Sequence, residues 1–440
     1  MHTNFLTDEQ IPAAVADALA TQPIVDVHTH LYPPTFGTPV PNATGRVDPT
    51  GLMLWGIDEL ITYHYLVAEV FRAVPASKLP YEQFWRMSKQ QQADHIWKHL
   101  FIERSPIGEA CRGVITTLSK LGFDPSDRSL DKWRASTARQ DPSQYIDRVM
   151  QLANVQRITM TNPVFDDNER NRWLKDPQIA ADSRFSAVLR IDPILRDYPG
   201  AAKKLSSWGY AVAEEIGEKS VQEARRFLRD WVDRQQAIYI AASLPPEWRY
   251  PAPADDPVAR AGQVMLEKVV LPVCAERNFP LALMIGSRPQ VNPGLREGGD
   301  MSGHADVASV VNLCAAFAPN RFLITILARE NQHELCVAGR KFGNLMVFGC
   351  WWFLNNPSLV EEITRMRLEL LNTTFIPQHS DARVLDQLIY KWDHSRAVIG
   401  KVLSEKYAQL SAAGWKVSRT EIDRDVRHLL KDNFAAFLNG

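Results

Sequence analysis

Short apolar runs rich in β-branched residues recur along this chain, and each is followed by a longer segment with helical periodicity or helix caps. This alternation is typical of parallel strands joined by crossover helices. Eight runs have the composition and length of strands, namely 24–28, 155–161, 185–191, 237–243, 281–285, 322–327, 345–351 and 374–377.

Eight parallel strands with intervening helices most simply close into an α/β fold of the (β/α)8 (TIM) barrel type, whose active site lies at the carboxyl ends of the strands. A doubly wound open sheet is the alternative. Such a sheet normally carries a glycine-rich turn after its first strand, and residues 29–34 contain no glycine. We therefore predict one barrel domain spanning residues 1–440.

The spacing of the strands is uneven, because residues 35–150 separate the first two and are rich in aromatic and helix-forming types. A connection of this length must fold on its own or cover something. We predict a helical insertion that forms a lid over the barrel mouth. A helical stripe that starts near Thr420 predicts an extra helix at the carboxyl terminus, and Thr7 with Gln10 predicts another at the amino terminus.

The overall composition points to small-molecule partners. The 440 residues include 50 basic and 51 acidic side chains, so no field-driven attraction to nucleic acid or to an anionic membrane is expected. No apolar run approaches the roughly 18 residues of a membrane span, and the first ten residues lack a signal pattern. Five scattered cysteines predict neither disulfides nor a thiolate zinc site, which favours a cytoplasmic protein.

Two histidines lie at the end of the first predicted strand, and an aspartate follows the last predicted strand. Because side chains two apart on a strand share one face, His28 and His30 can point at one ion. The first and eighth strands of a closed barrel are neighbours, which brings Asp381 to the same place. Two imidazoles and a carboxylate leave positions open, as in catalytic metal sites. The alternatives are solvated histidines at a strand end and, for Asp381, a helix N-cap.

Further polar residues fall where a barrel would place its active site. His64 lies between two tyrosines in the insertion, although a packed histidine is the alternative. Arg190 ends the third strand and could clamp a carboxylate, unless it pairs with Asp192. Arg383 lies two residues after the aspartate of the eighth strand, and Trp351 ends the seventh strand, where it faces either ligand or core.

Taken together and in order along the chain, these residues resemble the uronate isomerases, a branch of the amidohydrolase superfamily. The resemblance covers about residues 20 to 405, and the joint pattern is far more specific than any single motif. It is carried by His28-Thr29-His30, His64-Tyr65, Arg190 in an Arg-x-Asp context, Trp351-Trp352-Phe353 and Ser380-Asp381-Ala382-Arg383.

The resemblance implies a (β/α)8 barrel enzyme that isomerises a hexuronate between aldose and ketose, for example glucuronate to fructuronate or galacturonate to tagaturonate. It also implies that His28, His30 and Asp381 hold zinc or a similar divalent ion. Under it, Asp381 or a nearby group helps to remove the proton at C2, and His64 and Tyr65 handle protons at O1 and O5.

For the substrate, the resemblance implies that Arg190 and Arg383 bind the carboxylate and hydroxyls, with Arg288 and Trp351 as further contacts. One position departs from the family pattern, because Met284 stands where the family generally has a histidine after the fifth strand. A thioether is a poor ligand for such an ion. We expect one metal contact or substrate hydrogen bond to be lost there.

Two other functions stay open at this level. One is a metal-dependent hydrolase or decarboxylase of another acidic substrate, although Ser243, Met284 and Leu327 stand at strand ends where amidohydrolases often place metal ligands. The other is a barrel that binds ligands without catalysis. Since large barrels commonly self-associate, we also expect a homo-oligomer.

Overall fold

The strands and helices alternate along the chain in this computed structural model, which describes residues 5–440 except positions 42, 44, 49, 50 and 177. The strands are β1 (Ile24–Thr29), β2 (Val155–Met160), β3 (Phe185–Ala187), β4 (Leu189–Arg190), β5 (Ile240–Leu244), β6 (Leu281–Ile285), β7 (Ser287–Arg288), β8 (Met301–Ser302), β9 (Phe322–Ile326) and β10 (Leu345–Val347).

The helices differ widely in length. They are α1 (Ile11–Thr21), α2 (Ile57–Ile61), α3 (His64–Ala73), α4 (Tyr81–Arg86), α5 (Lys89–Trp97), α6 (Glu109–Lys120), α7 (Asp131–Thr137), α8 (Pro142–Ala153), α9 (Asp167–Lys175), α10 (Asp192–Arg196), α11 (Tyr198–Ser207), α12 (Glu218–Gln235), α13 (Pro257–Met265), α14 (Leu271–Glu276), α15 (Val307–Ala316), α16 (Gln332–Gly339), α17 (Pro357–Leu371), α18 (Gln387–Ala412), α19 (Arg419–Arg427) and α20 (Asn433–Asn439). Among the described residues, no helix combines the length and apolarity needed to cross a bilayer.

The main strands pair in parallel, as predicted. One sheet has the order β1-β2-β3 and the other the order β10-β9-β6-β5-β4. The predicted third strand is interrupted at Val188, so its first half pairs with β2 and its second half with β5. The Val188 N–H donates to the Met160 carbonyl at 2.9 Å, which joins the two sheets at this point.

The eighth predicted strand, 374–377, is present only as a parallel bridge between Phe348 and Ile376. A proline at 377 has no N–H for a ladder, and the Gln378 side chain accepts from the Cys350 N–H at 2.8 Å instead. The segment then runs beside β1, where the His30 N–H donates to the Ala382 carbonyl at 2.7 Å. Main-chain hydrogen bonds therefore connect residues 376–382 to the strands on both sides.

Side-chain alternation separates two apolar layers. On β5, Ile240 and Ala242 face the surrounding helices, whereas Ala241 belongs with Met284 of β6 to an inner cluster between the strands. Phe434 of α20 packs into this inner cluster. The apolar stripe that starts near Thr420 is therefore part of the core, and it forms helices at the carboxyl terminus as the sequence predicts.

The insertion between β1 and β2 is helical. Its helices α2 to α7 bury an apolar cluster distinct from the main core that includes Phe84, Trp97 and Trp133, and Val384 and Tyr390 also belong to this cluster. Helix α8 differs, since its Tyr145 and Ile146 pack in the main core. The part of the insertion with a separate core therefore ends before α8, within the predicted range 35–150.

Candidate active site

A cavity of about 330 Å³ opens where the parallel strands end. Its walls come from strand ends, from the insertion and from the β7–β8 loop (residues 289–300). The residues that line it are His28, His30, Tyr63, His64, Arg190, Arg196, Ser243, Ser287, Pro289, Glu297, Asp300, Trp351, Trp352, Asp381 and Arg383.

Three of the predicted residues converge at the floor of this cavity. Asp381 Oδ1 lies 3.2 Å from His28 Nε2 and 3.5 Å from His30 Nε2. One ligand atom from each residue lies within 4.8 Å of the others. Despite these short contacts, Asp381 Oδ1 is a buried atom without a hydrogen-bond partner among the described residues. Side chains from opposite ends of the sequence thus share one site.

The protonation states of His28 and Asp381 suit a divalent cation. Burial lowers the pKa of His28 to about 4, so its imidazole is neutral at pH 7. Burial raises the pKa of Asp381, but its contacts with His28 and His30 outweigh this effect and hold the pKa well below its ordinary value. Metal ligands must be neutral imidazoles and ionised carboxylates, and an orphaned buried oxygen facing two imidazole nitrogens fits such an ion.

A buried network fixes the position of Asp381. Asp26 of β1 accepts hydrogen bonds from the Ser380 N–H at 3.1 Å and from the Trp392 Nε1–H at 2.8 Å. Lys391 Nζ donates to the Ser380 carbonyl at 2.6 Å. These contacts hold Asp381 in the left-handed region, at a φ of 51°. A non-glycine residue adopts this conformation uncommonly, and its surroundings stabilise it here.

His64 enters the cavity from the amino terminus of α3. Its ring stacks on Trp352 with centroids 5.7 Å apart, and its Nδ1 lies 3.3 Å from the Glu297 carbonyl. A carbonyl partner requires Nδ1 to donate, so Nε2 is the acceptor nitrogen. His64 Nε2 has no hydrogen-bond partner among the described residues, and burial lowers the pKa of His64 to about 4. His64 is therefore a neutral base whose lone pair is unused.

Tyr65 does not line the cavity. It lies behind His64, with ring centroids 4.5 Å apart, and Lys391 Nζ lies 5.7 Å from its ring centroid. Tyr63 lines the cavity in its place. Burial raises the pKa of Tyr63 well above its ordinary value, so its phenol stays protonated and can donate a hydrogen bond.

Arg190 is paired within the protein. Its Nε and Nη2 both donate to the Asp192 carboxylate at 2.8 to 3.1 Å, and Nη2 also donates to Ser243 Oγ at 2.9 Å. The pairing that the sequence left open as an alternative is thus present. Arg383 has a different environment, since its Nη1 donates to the Leu52 carbonyl at 3.1 Å and its guanidinium lies 5.4 Å from the Tyr32 ring centroid.

The remaining predicted contacts divide between the cavity and the surface. Trp351 lines the cavity and is buried, and Trp352 beside it lines the cavity as well. Arg288 does not line the cavity, because its Nη2 pairs with Glu247 at 2.7 Å and both side chains are exposed. Met284 is buried in the inner apolar cluster. It contributes packing where a histidine would contribute a polar group.

Several residues of the site were not predicted from the sequence. Arg196, Glu297 and Asp300 carry charge into the cavity, and His379 lies behind His28 with ring centroids 4.9 Å apart. Only its position a few residues after the predicted third strand could have indicated Arg196 as a site residue. Glu297 and Asp300 lie on a loop whose path the sequence pattern does not define.

Comparison with known proteins gives a consistent result. A uronate isomerase from Bacillus halodurans C-125 is 48% identical over 99% of this chain and 97% of its own, with a TM-score of 0.91. Uronate isomerase from Thermotoga maritima and glucuronate isomerase from Caulobacter crescentus are each 14% identical over 99% of this chain, with TM-scores of 0.74 and 0.76 and coverage of 100% and 95% of their own chains. These two share the fold. No family model and no curated protein sequence matches.

Proposed function

This chain belongs to the uronate isomerase family, and we propose that it interconverts the aldose and ketose forms of a hexuronate, glucuronate or galacturonate, beside a divalent metal ion. The resemblance inferred from the sequence is thereby confirmed as a family assignment, and the chain is an isomerase. The observation that carries the proposal is 48% identity to a uronate isomerase over 99% of this chain.

The carboxylate of Asp381 is our candidate for the base that moves the proton between C2 and C1. Its low pKa keeps it ionised at neutral pH, and its position at the cavity floor allows it to serve both carbons. Removal of the C2 proton from the open-chain aldose gives an enediolate, and return of the proton to C1 gives the ketose. A single carboxylate can do both because the two carbons are adjacent.

The unused lone pair of His64 Nε2 supports a second role. In ring opening this nitrogen would accept the O1 hydroxyl proton of the cyclic sugar acid and return it to O5, while the Tyr63 phenol beside it donates a hydrogen bond. Transfer of a proton between O1 and O2 must accompany the carbon transfer, since the aldehyde becomes an alcohol while C2 becomes a carbonyl. Tyr65 remains a prediction for this step, acting through the ring of His64.

His28, His30 and Asp381 are the residues that would hold the ion, for which zinc or a similar divalent metal is our expectation. When bound, such an ion supplies a positive charge that stabilises negative oxygen as it develops. Arg383, with no carboxylate within ion-pair distance among the described residues, and the Ser243 hydroxyl would orient sugar oxygens.

Three broader features belong to this proposal. The two parallel sheets and segment 376–382 would form one closed (β/α)8 barrel, and helices α2 to α7 would cover its mouth as a lid. The substrate is a small sugar acid, with no nucleic acid or membrane partner. We also retain the expectation of a homo-oligomer in the cytoplasm.

The test is an isomerase assay with the metal-replete protein. Purified protein is incubated with glucuronate or galacturonate in deuterated water, and the products are followed by NMR. We expect the corresponding ketose together with proton exchange at C2. A matched incubation with Asp381→Asn controls for uncatalysed isomerisation.

The proposal would be overturned if neither glucuronate nor galacturonate gave a ketose or showed proton exchange at C2. Formation of a hydrolysed product or of carbon dioxide from a panel of lactones, amides and carboxylated rings would instead support the hydrolase or decarboxylase alternative. Binding without any turnover would support the ligand-binding alternative.

A further inference from the structure

Another cavity, of about 700 Å³, opens between helices α6, α17 and α18, away from the site described above. Its lining includes Glu109, Arg112 and Thr116 from one face of α6 and His394 from α18. Hydrogen bonds join these side chains across the interface of the two helices. The proposed isomerase reaction uses none of them.

His394 joins a carboxylate to a hydroxyl. Its Nδ1 lies 2.6 Å from Glu109 Oε1, and its Nε2 lies 2.8 Å from Thr116 Oγ1. The contact with the carboxylate requires a proton on Nδ1, because two acceptor atoms at that distance would repel each other. In the neutral ring Nε2 is then the acceptor, and the Thr116 hydroxyl donates to it. The His394 side chain is only 7% exposed, so little water competes for these bonds.

Arg112 holds the carboxylate end of this row. Its Nη2 and Nε donate to Glu109 Oε2 at 2.7 and 3.1 Å, which leaves Oε1 to accept from His394. Arg112 Nη2 also lies 2.9 Å from His394 Nδ1, but a ring nitrogen that carries a proton has no lone pair with which to accept a hydrogen bond. The carboxylate thus orients the imidazole toward a hydroxyl, as in the triads of nucleophilic enzymes.

The Thr116 hydroxyl is available to react. His394 Nε2 is its one hydrogen-bond partner among the described residues, so the lone pairs of its oxygen are unused. Thr116 is partly buried and lines the cavity. A threonine hydroxyl becomes a nucleophile when an adjacent base takes its proton.

The rest of the cavity suits a small carboxylic ester. Helix α17 begins at Pro357, and the first N–H groups of a helix have no acceptor within it. The N–H of Ser358, which lines the cavity, makes no hydrogen bond to any residue that the structure describes, so it can donate to a developing oxyanion. Apolar lining from Ile107, Pro357 and Val398 fits a short acyl chain.

We propose that Glu109, His394 and Thr116 form a second catalytic site, which hydrolyses small neutral carboxylic esters. The Thr116 oxygen attacks the ester carbonyl carbon while its proton passes to His394 Nε2. The bond to the alcohol oxygen then breaks, the alcohol leaves with that proton, and the acyl group stays on Thr116. Water attacks this acyl-enzyme with His394 as base, which releases the acid and restores the hydroxyl. This activity does not depend on the proposed isomerase function.

The experiment measures hydrolysis of p-nitrophenyl acetate by the wild type and four variants. Thr116→Val removes the hydroxyl at nearly constant volume, Thr116→Ser keeps it, and His394→Gln removes the base. Ser119→Ala is the matched control, because Ser119 is exposed on the same helix and does not line the cavity. Thermal unfolding checks that each variant is folded. Mass spectrometry of acid-quenched protein locates any acetyl group, and the isomerase assay is run in parallel.

We expect the wild type to hydrolyse the ester faster than buffer alone and to carry an acetyl group on Thr116. Thr116→Val and His394→Gln should each lose roughly 10²-fold of the catalysed rate, as loss of a nucleophile or of a general base implies. Thr116→Ser should keep much of the rate, and Ser119→Ala should match the wild type. Isomerase activity should be the same in Thr116→Val as in the wild type.

The outcomes separate this inference from the proposed function. Ester hydrolysis by the wild type that is no faster than by Thr116→Val overturns the second site, whatever the isomerase assay gives. An undiminished rate in His394→Gln contradicts the imidazole as base, and acetylation only at other residues contradicts Thr116 as nucleophile. Hydrolysis that depends on Thr116 in a protein without isomerase activity overturns the proposed function and supports the second site.

Discussion

Asp381 combines a strained backbone, a buried carboxylate and contacts with two imidazoles. A left-handed conformation costs on the order of 1 kcal/mol or more for a residue with a Cβ. The hydrogen bonds of Asp26, Ser380 and Lys391 around it offset this cost. Most polar side chains described in the cavity have specific hydrogen-bond or ion-pair partners, so a single substitution there tests a defined contact.

The first prediction concerns the charge of Asp381. Asp381→Asn keeps the side-chain volume but removes both the base and an anionic ligand, so we expect kcat to fall roughly 10²- to 10⁴-fold and the metal content to drop. Elemental analysis, steady-state assays and thermal unfolding provide the measurements. Asp255→Asn, at an exposed position, is the control. Retention of full turnover by the Asp381 variant would remove this residue from the mechanism.

The second prediction concerns the pair of Arg190 and Asp192, whose side chains are 16% and 15% exposed. Asp192→Asn leaves a mostly buried guanidinium without its anion, and we expect a loss of about 3 kcal/mol in the free energy of unfolding, measured with urea. The double variant Arg190→Met with Asp192→Asn should recover part of this loss, since neither charge is then unpaired. No difference between the single and double variants would mean that the ion pair is not what stabilises this corner.

At the scale of elements, the site depends on segments that are not regular strands. Residues 376–382 run between the ends of β10 and β1 and are joined to them by one bridge and several main-chain hydrogen bonds. The wall opposite the strands comes from the β7–β8 loop and α3. The loop is tied to the insertion, because Trp85 Nε1 donates to the Gly294 carbonyl at 2.8 Å and Asn292 Nδ2 donates to Tyr81 Oη at 3.1 Å. The insertion and the loop therefore form one wall.

The third prediction tests the insertion as a unit. Phe84 of α4 is fully buried in the separate core of the insertion, and Phe84→Ala should cost about 3 to 5 kcal/mol there. We expect faster proteolysis within residues 57–137 and a higher KM for the sugar acid, with little change in the main thermal transition. Phe227→Ala, in the main core, is the matched control and should lower that transition. If Phe84→Ala lowers the main transition equally, the two cores unfold together.

For the whole molecule, buried titratable groups act on stability in opposite directions. Burial lowers the pKa of His64 to about 4, whereas burial raises the pKa of Asp26 to about 6 and that of Glu169 to about 7. A histidine with a lowered pKa contributes stability that is complete above its unfolded value, near 6.5, and is lost as the pH falls toward 4. Carboxyl groups with raised pKa values contribute in the opposite sense over the same range.

The fourth prediction concerns the pH dependence of stability that comes from His64, measured by comparing the wild type with His64→Asn. Between pH 7 and pH 4.5, the unfolded chain binds a proton at His64 that the folded protein excludes, so acidification should destabilise the wild type more than His64→Asn, by up to about 3 kcal/mol. Urea unfolding of both proteins at several pH values gives the difference. His333→Asn, at an exposed histidine, should follow the wild-type profile. If the difference in the free energy of unfolding between the wild type and His64→Asn stayed constant from pH 7 to pH 4.5, a buried neutral His64 would be contradicted.

Local periodicity in the amino-acid sequence was enough to predict much of the framework. Alternating runs indicated seven of the strands, the separation of the helical insertion from the strands, and the shared face of His28 and His30 on β1. These features are set by the backbone geometry of neighbouring residues, so they can be inferred without coordinates. The joint order of motifs also identified the family. The pairing of Asp381 with the two histidines was predicted from the expected adjacency of the first and last strands.

The choice of side chains that share the cavity became visible only in three dimensions. Sequence position did not distinguish Tyr63 from Tyr65, nor reveal that Asp192 holds Arg190 and that Arg288 lies outside the cavity. These differences depend on side-chain directions and on loops such as residues 289–300, whose paths are set by packing against α3 and α4. Periodicity carries no information about such contacts, because they join residues far apart in the chain and are selected by the folded core as a whole.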